Sequence, residues 1–157
     1  MSAKRVFEEI EFLHKNYGIT VISFIDDAFT INKKRVIELC DLLIKADFKI
    51  EWTCSTRIDF LDREMIVKMK KAGCSMINFG VESALPKTLL NMKKTANPKW
   101  YIEHTYKLLK WCYEEGIRVA VNILAGFPWE TANDMKKMQG YINKIKRYVT
   151  SGFYGGI

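Results

Sequence analysis

The sequence predicts an α/β fold in which a parallel sheet begins to close into a partial (β/α) barrel. One observation is a helix-to-strand boundary that recurs three times. Each time, an amphipathic helical pattern ends on glycine and a short β-branched apolar run follows directly: NYG-ITVISFI, KAG-CSMINF and EEG-IRVAVNIL. The glycine can close the last helical turn, and the run is typical of a strand buried on both faces of a parallel sheet. A second observation is that polar residues follow these runs, where parallel α/β folds place their ligands.

The first unit is a helix over residues 3–16 followed by a strand over residues 19–25. The apolar residues of the helix recur with the i, i+4, i+7 spacing of one buried face: Val6, Ile10, Leu13 and Tyr17. Gly18 ends this helix. We therefore expect all four apolar residues to pack inward.

The second unit begins after the loop DDAFTIN, in which Thr30 and Asn32 are both candidate N-caps. The helix that follows is expected to bury Val36, Leu39, Cys40 and Leu43. A strand over residues 49–54 comes next. Asp62 then caps a helix that contains Met65, Ile66 and Met69 and ends at Gly73, and its two methionines are expected to lie in the core.

The later units repeat the pattern. A strand over residues 75–79 is followed by a short helix that starts at Pro86, and Asn97-Pro98 starts a longer helix that reaches Glu115. A strand then runs from Gly116 to about Leu124, and Thr131 caps a last helix that reaches Arg147. This gives four strands and about six helices, with the tail YVTSGFYGGI as a candidate fifth strand.

The length sets a limit on how much of a barrel is present. A closed eight-stranded barrel takes roughly 200 residues or more, whereas this chain has 157 and opens on a helix. We expect residues 1–157 to be a single incomplete domain that lacks a neighbouring strand at each end.

Composition narrows the class of protein. With 48% apolar residues, the chain can bury a sizeable core. It has no apolar run long enough to span a membrane and no secretory signal pattern, so we expect a cytoplasmic location. The net charge of +7 would suit a nucleic acid, an anionic cofactor or an acidic partner, but the lysines are scattered over helical patterns, which favours solvated helix faces.

The four cysteines do not form a recognisable metal or disulfide motif. Cys40, Cys54, Cys74 and Cys112 lie 14, 20 and 38 positions apart. This spacing fits neither a CxxC clamp nor a dense disulfide framework. We expect most of them to be reduced and buried.

The residues after the strands predict the functional site. In order along the chain they are Asp26 and Asp27, then Ser55, Thr56, Arg57 and Asp59, then Glu82 and Ser83, and finally Gly126, Phe127, Pro128, Trp129 and Glu130. In a rolled sheet they would converge at one mouth, which suits a zwitterionic nucleoside because carboxylates, an arginine and a close backbone approach are all available. The alternative is that residues such as Asp27 or Ser83 only cap the next helix.

Three stretches of this chain resemble the radical S-adenosylmethionine (SAM) enzymes, in particular the branch often fused to a cobalamin-binding domain. They are FIDDAFTINKKRVIELCDLL, WTCSTRIDFLDREMIVKMKKAGCSMINFGVES and GIRVAVNILAGFPWET. The resemblance covers nearly the whole chain and implies a partial parallel (β/α) barrel that binds SAM.

The resemblance also implies roles for particular residues. Glu82 would bind the ribose hydroxyls with Ser83 beside it, and Lys94 would pair with the methionine carboxylate, although a helix-surface lysine is the competing interpretation. Asp26 and Asp27 stand where the family contacts the methionine amino group. Arg57 follows the third family strand, and the segment from Ala125 through Gly126 to Pro128 resembles the one that packs against adenine.

One family motif is missing. The CxxxCxxC loop that holds the [4Fe-4S] cluster should precede the first helix, and none of the four cysteines can replace it. Three thiolates are needed to hold such a cluster. The complete protein is expected to bind SAM and a [4Fe-4S] cluster, with cobalamin as a further candidate cofactor, for methyl transfer, rearrangement or sulfur insertion. This chain alone is expected to be inactive.

Two other functions stay open at this point. One is a degenerate, non-catalytic barrel that binds a nucleoside or a partner. The other is an aldolase-like barrel in which Asp26, Arg57 and Glu82 act directly on a small anion, although no suitably placed Schiff-base lysine or metal triad accompanies them.

Overall fold

The computed structural model describes residues 1–156, which contain one five-stranded sheet and six α-helices. The strands are β1 (Val21–Phe24), β2 (Glu51–Arg57), β3 (Cys74–Glu82), β4 (Arg118–Leu124) and β5 (Gly152–Gly156). The helices are α1 (Ala3–Tyr17), α2 (Lys33–Lys45), α3 (Arg63–Lys71), α4 (Pro86–Asn91), α5 (Pro98–Glu114) and α6 (Ala132–Ile145). Three 3₁₀ turns lie at Phe29–Ile31, Ile58–Phe60 and Lys146–Tyr148.

All neighbouring strands pair in parallel, in the order β1-β2-β3-β4-β5. This sequential order is what right-handed βα units produce when each new strand joins the same edge of a sheet. The α/β fold with a partial parallel barrel is therefore confirmed, and the tail of the chain supplies a fifth strand. Among residues 1–156, every helix is too short or too polar to cross a lipid bilayer.

Side-chain caps start the helices where the sequence indicates. Asn32 accepts from the Arg35 N–H, Asp62 from the Met65 N–H and Thr131 from the Asp134 N–H. Each cap satisfies a backbone donor that the first helical turn leaves without a partner. The alternative of Thr30 as a cap is wrong, because its buried hydroxyl lies 2.5 Å from the Thr56 hydroxyl and ties the loop after β1 to β2.

One face of the sheet is covered by the helices and forms the core. Trp52, Ile77 and Phe79 are fully buried there, and the Trp52 indole N–H donates to the Ala72 carbonyl at 2.8 Å. The buried residues predicted for α2 and α3 all lie in this core. The expectation of strands buried on both faces is wrong for this chain, because the alternate residues Thr53, Ser55 and others are only partly buried.

The uncovered side of the sheet, here called the inner face, is polar. It carries Ser23, Thr53, Ser55, Asn78 and Asn122, which alternate along the strands with the core residues. Alternation follows from the pleat, since successive side chains point to opposite sides of a strand. The inner face bounds an open cavity of about 300 Å³.

Helix α1 departs from its predicted packing. Ala3 and Ile10 are buried, but Leu13 is 38% exposed and Tyr17 is 68% exposed. The reason is that α1 packs mainly against α2 and has few contacts with the sheet, in which β1 is the edge strand.

Candidate functional site

The register of the sheet brings polar groups together at the carboxyl ends of the central strands. Arg57 of β2 pairs with Gly80 of β3, and Gly80 pairs with Asn122 of β4. The β3–β4 register shifts between Gly80 and Glu82. Such an irregularity re-aims the side chain that follows it, and here that side chain is the Glu82 carboxylate.

Glu82 and Lys94 form an ion pair at this point. The Lys94 Nζ lies 3.2 Å from Glu82 Oε1, and the two side chains are only 13% and 16% exposed. Lys94 is held in place after α4 by its backbone N–H, which donates to the Leu89 carbonyl at 2.9 Å. The interpretation of Lys94 as a helix-surface lysine does not agree with this position. A partly buried carboxylate and ammonium together present opposite charges to one polar ligand.

The backbone is strained on both sides of this pair. Glu82 has φ 63° and Lys93 has φ 52°, and they are the two non-glycine residues of the described chain with positive φ. Left-handed backbone costs a residue with a side chain roughly 1–2 kcal/mol. Strain of this kind concentrates at ligand sites, where the surrounding structure holds it. Both strained residues lie at the Glu82–Lys94 pair or next to it.

Arg57 links the pair to a second carboxylate. Its guanidinium donates to both Asp59 oxygens, at 2.9 and 2.7 Å, and to the Lys94 carbonyl at 2.7 Å. The hydrogen bond to Asp59 raises the pKa of Arg57. Burial alone would raise the pKa of Asp59, but hydrogen bonds from Arg57 and the backbone, with the charges of Arg57 and Lys94, leave this pKa lowered. Arg57 and Asp59 are therefore both charged at neutral pH. Together with the Glu82–Lys94 ion pair they form a set that we call the charged mouth: Arg57, Asp59, Glu82 and Lys94.

Two residues that sequence analysis did not single out shape the charged mouth. A Cβ added to Gly80 would lie 2.6 Å from Glu82 Oε1 and 3.1 Å from Lys94 Nζ, so the ion pair occupies the space of the missing side chain. The buried Tyr101 donates its hydroxyl to the Gly80 carbonyl at 2.8 Å. A glycine inside a strand pattern signals such a close approach, whereas Tyr101 gave no signal beyond its helical spacing.

The loop after β4 is fixed by Glu130. One Glu130 oxygen accepts from the Gly126 and Phe127 backbone N–H groups at 2.8 and 3.1 Å, and the other accepts from the Thr88 hydroxyl at 2.6 Å. Gly126 has φ 89°, which favours glycine. Phe127 stacks on Trp129 with ring centroids 4.8 Å apart. The loop thus offers a flat apolar surface beside a backbone segment that a ligand can approach closely.

Within residues 1–156, Asp26, Asp27 and Ser83 share no side-chain hydrogen bond or ion pair with the charged mouth. Asp26 faces the Arg35 guanidinium at 3.9 Å in an exposed position, and Asp27 is exposed. Ser83 is buried, where its hydroxyl accepts from the Leu85 N–H at 3.1 Å and contacts the Met138 sulfur. The structure thus brings Arg57, Glu82 and Lys94 together and gives Ser83 local turn contacts.

The four cysteines do not form a metal or cluster site within residues 1–156. All four are free and buried, and burial raises the pKa of the Cys40 thiol to about 12 and raises those of Cys74 and Cys112 as well. Within residues 1–156, no three His, Cys, Asp or Glu side chains come together in a way that would hold a metal ion. These residues do not fit an iron–sulfur cluster, which needs thiolate ligands.

Sequence comparison places this chain among known proteins. The family model described as "Radical SAM superfamily" matches residues 1–142. An uncharacterized methyltransferase from Pyrococcus horikoshii is 33% identical over 144 residues, which are 92% of this chain and 30% of that protein. An anaerobic magnesium-protoporphyrin IX monomethyl ester cyclase from Rubrivivax gelatinosus is 29% identical over 85% of this chain and 24% of its own length. The chain therefore spans less than a third of either relative.

Structural comparison supports the fold. The radical S-adenosylmethionine methyltransferase TsrM from Kitasatospora setae, solved with cobalamin and a [4Fe-4S] cluster bound, superposes with a TM-score of 0.84 at 21% identity. The match covers 99% of this chain and 31% of TsrM. At this identity the likeness shows a shared partial barrel.

Proposed function

We propose that this chain, which belongs to the radical SAM superfamily, is the SAM-binding core segment of a radical enzyme. The observation that carries the proposal is the partly buried Glu82–Lys94 ion pair at the carboxyl ends of β3 and β4, with strained backbone at Glu82 and Lys93. SAM carries hydroxyls, a carboxylate and an ammonium, and such groups need charged partners when they leave water.

The two members of the ion pair have different proposed roles. The Glu82 carboxylate would accept hydrogen bonds from the ribose hydroxyls, and the Lys94 ammonium would pair with the methionine carboxylate. In the chain without ligand the two groups satisfy each other at 3.2 Å. Binding therefore exchanges a protein–protein ion pair for two protein–ligand contacts, so neither charge is left unpaired.

The remaining site residues have supporting proposed roles. Arg57 would orient Lys94 through its carbonyl, because one guanidinium bonds both that carbonyl and Asp59. Gly126 and the neighbouring Phe127 would offer backbone and a flat ring to adenine. Asp26 and Asp27 would reach the methionine amino group, and Ser83 would fix the turn that follows Glu82 through its bond from Leu85.

The reaction belongs to the complete protein. We propose methyl transfer ahead of rearrangement or sulfur insertion, because the Pyrococcus relative carries a methyltransferase name. A [4Fe-4S] cluster, which in this superfamily supplies an electron to SAM, would take its ligands from outside residues 1–156, since these residues do not fit it. Cobalamin is a further proposed cofactor, supported by its presence in TsrM. The cytoplasmic location stays a prediction.

Calorimetric titration of SAM into the 157-residue chain tests the proposal. Glu82→Gln and Lys94→Met should each weaken binding about 5- to 150-fold, which corresponds to the roughly 1–3 kcal/mol expected for losing a charged hydrogen-bond partner. Glu103→Gln and Lys99→Met remove the same charges from exposed positions on α5 and serve as matched controls. Equal affinities in all four variants would show that SAM does not use the ion pair. SAM binding by a complete protein that has no activity would instead favour the non-catalytic module.

A further inference from the structure

We propose that the inner face below the charged mouth binds the enzyme's second substrate through an uncharged, flat group that carries hydrogen-bonding atoms. The inference rests on the proposed function, because it assigns a neighbour to the SAM site. It goes further by naming the chemistry of the molecule that is modified. The features that carry it are the neutral cavity lining, the charges that bracket it, and one buried side-chain oxygen without a partner.

The cavity lining is polar and carries no formal charge in the part of the chain that the structure describes. Its hydrogen-bonding side chains are Ser23, Thr53, Ser55, Asn78, Asn122 and Tyr154. The cavity measures about 300 Å³ and opens to solvent. Hydroxyl, carboxamide and phenol groups all form hydrogen bonds with neutral ligands. None of them supplies the counter-charge that an ion needs on leaving water.

The uncharged cavity lining, here called the neutral band, lies between two pairs of charged residues. The members of each pair already contact each other. At the amino ends of the strands, Arg118 Nη2 lies 3.2 Å from Glu51 Oε1, across the inner face. At the carboxyl ends, Lys94 Nζ lies 3.2 Å from Glu82 Oε1. A charged ligand group between them would therefore have to break one of these pairs or stay without a partner. Both outcomes cost free energy, so the band selects against ions.

The strongest indication of a bound ligand comes from Asn78. Its Oδ1 is buried and has no hydrogen-bond partner within residues 1–156. Asparagine is a poor strand former, and a buried polar atom without a partner is uncommon in folded proteins. Asn78 therefore contributes little to the fold, and its side chain is free to turn toward a ligand, because the last torsion of asparagine has a broad range.

A second carboxamide lies close to the first. Asn78 pairs with Ala120 and Gly80 pairs with Asn122, so the two asparagines are diagonal neighbours on adjacent strands. Each carboxamide offers both a donor and an acceptor, the complement of an amide or a heterocycle edge. Met76 and the 57% exposed Tyr154 add apolar surface to the cavity, which favours a flat ring.

The position of the band fits a substrate of the proposed reaction. Asn78 is two residues before Gly80, on which the Glu82–Lys94 pair rests. Two residues along a strand span about 7 Å. A ring held by Asn78 and Asn122 would thus lie directly below the proposed SAM site, within reach of the group that SAM delivers.

Three ring compounds of one shape and different charge test this inference: benzamide, benzoate and benzamidine. They are titrated into the ¹⁵N-labelled 157-residue chain and followed by NMR. We expect benzamide to shift the Asn78 and Asn122 side-chain resonances and to bind at least tenfold more tightly than either ion. Equal or tighter binding of benzoate or benzamidine would overturn the proposal, and so would benzamide shifts confined to other surfaces or no binding.

Two substitutions at Asn78 sharpen the test. Asn78→Asp places a carboxylate in the band and should reverse the preference toward benzamidine, whereas Asn78→Leu should abolish the preference for benzamide. Asn143→Asp adds the same charge at an exposed position on α6 and should change nothing. Unchanged selectivity in Asn78→Asp would contradict the proposal. SAM affinity is followed in the Glu82→Gln variant and ring selectivity in the Asn78→Asp variant, so failure of the SAM proposal and failure of this one give different results.

Discussion

The two faces of the sheet are built from the same strands, but one face stabilises the protein and the other is open to ligands. On the helix-covered face, Trp52, Ile77 and Phe79 are fully buried and touch the core. On the inner face, Ser55, Asn78 and Asn122 are polar and partly exposed, and lie around an open cavity. Successive residues of one strand thus belong to a region that stabilises the protein and to a region that is available to ligands.

A pleated strand can therefore separate stability from function residue by residue. Burial of large apolar side chains dominates the free energy of folding, and it is concentrated on one face. The other face is free to carry polar, unpaired or strained groups such as Asn78 and Glu82. Substitutions at adjacent positions should therefore affect different measurements.

The largest expected effect comes from neighbouring substitutions in β3. Phe79→Ala should lower the free energy of unfolding by about 3–5 kcal/mol, because it leaves a cavity in the helix-covered core. Asn78→Ala should lower it by about 1 kcal/mol or less, since its carboxamide oxygen has no partner to lose among the described residues. Urea unfolding of both variants measures the contrast. A cost at Asn78 as large as that at Phe79 would show that the inner face is structural.

A smaller effect is expected at Gly80, where β3 contacts the charged mouth. Gly80→Ala should weaken SAM binding by about 1–3 kcal/mol, because the new methyl group displaces the ends of the Glu82 and Lys94 side chains. The fold should persist, since these ends are flexible. Gly73→Ala is a contrasting substitution, because its Cβ would clash with the Ile50 carbonyl and φ is 96°, so it should destabilise the fold. Calorimetry measures the SAM affinity of each variant, and thermal unfolding measures its stability. A folded Gly80→Ala variant with unchanged SAM affinity would contradict the placement of SAM at the charged mouth.

The smallest effect is a dependence on pH. The pKa of Asp59 is lowered in the folded state, so its bond with Arg57 stabilises the protein above the unfolded pKa of about 4 and is lost as pH falls through the folded value. Asp59→Asn should cost about 1 kcal/mol or less at pH 7, since the pair is partly exposed. The difference from the wild type should shrink below about pH 4. Unfolding curves at several pH values check this, and a constant difference would count against the ion pair.

The sequence predicted the parts of the fold that depend on local chemistry. Caps such as Asn32 and Asp62 act on the next turn of the chain, so their effect is visible in a short window. Leu13 was placed wrongly because periodicity finds the apolar face of a helix and does not report whether a sheet lies beneath it.

The candidate site could be predicted only in part. The sequence indicated Glu82, Lys94 and Arg57, and the structure brings them together. Tyr101 contacts Gly80 from 21 positions away, and no local pattern predicts such a pair. The orientation of Asp26 likewise depends on the path of its loop, which places it beside Arg35.

An NMR titration of the ¹⁵N,¹³C-labelled chain with SAM tests the proposed SAM site most directly. We expect the backbone amides of Gly80, Glu82, Lys94 and Gly126 to shift together, while the methyl groups of Ile66 and Ile77 in the helix-covered core stay unchanged. Shifts centred on the core or on the α1–α2 side of the sheet, or no shifts at millimolar SAM, would contradict the assignment of the charged mouth as the SAM site.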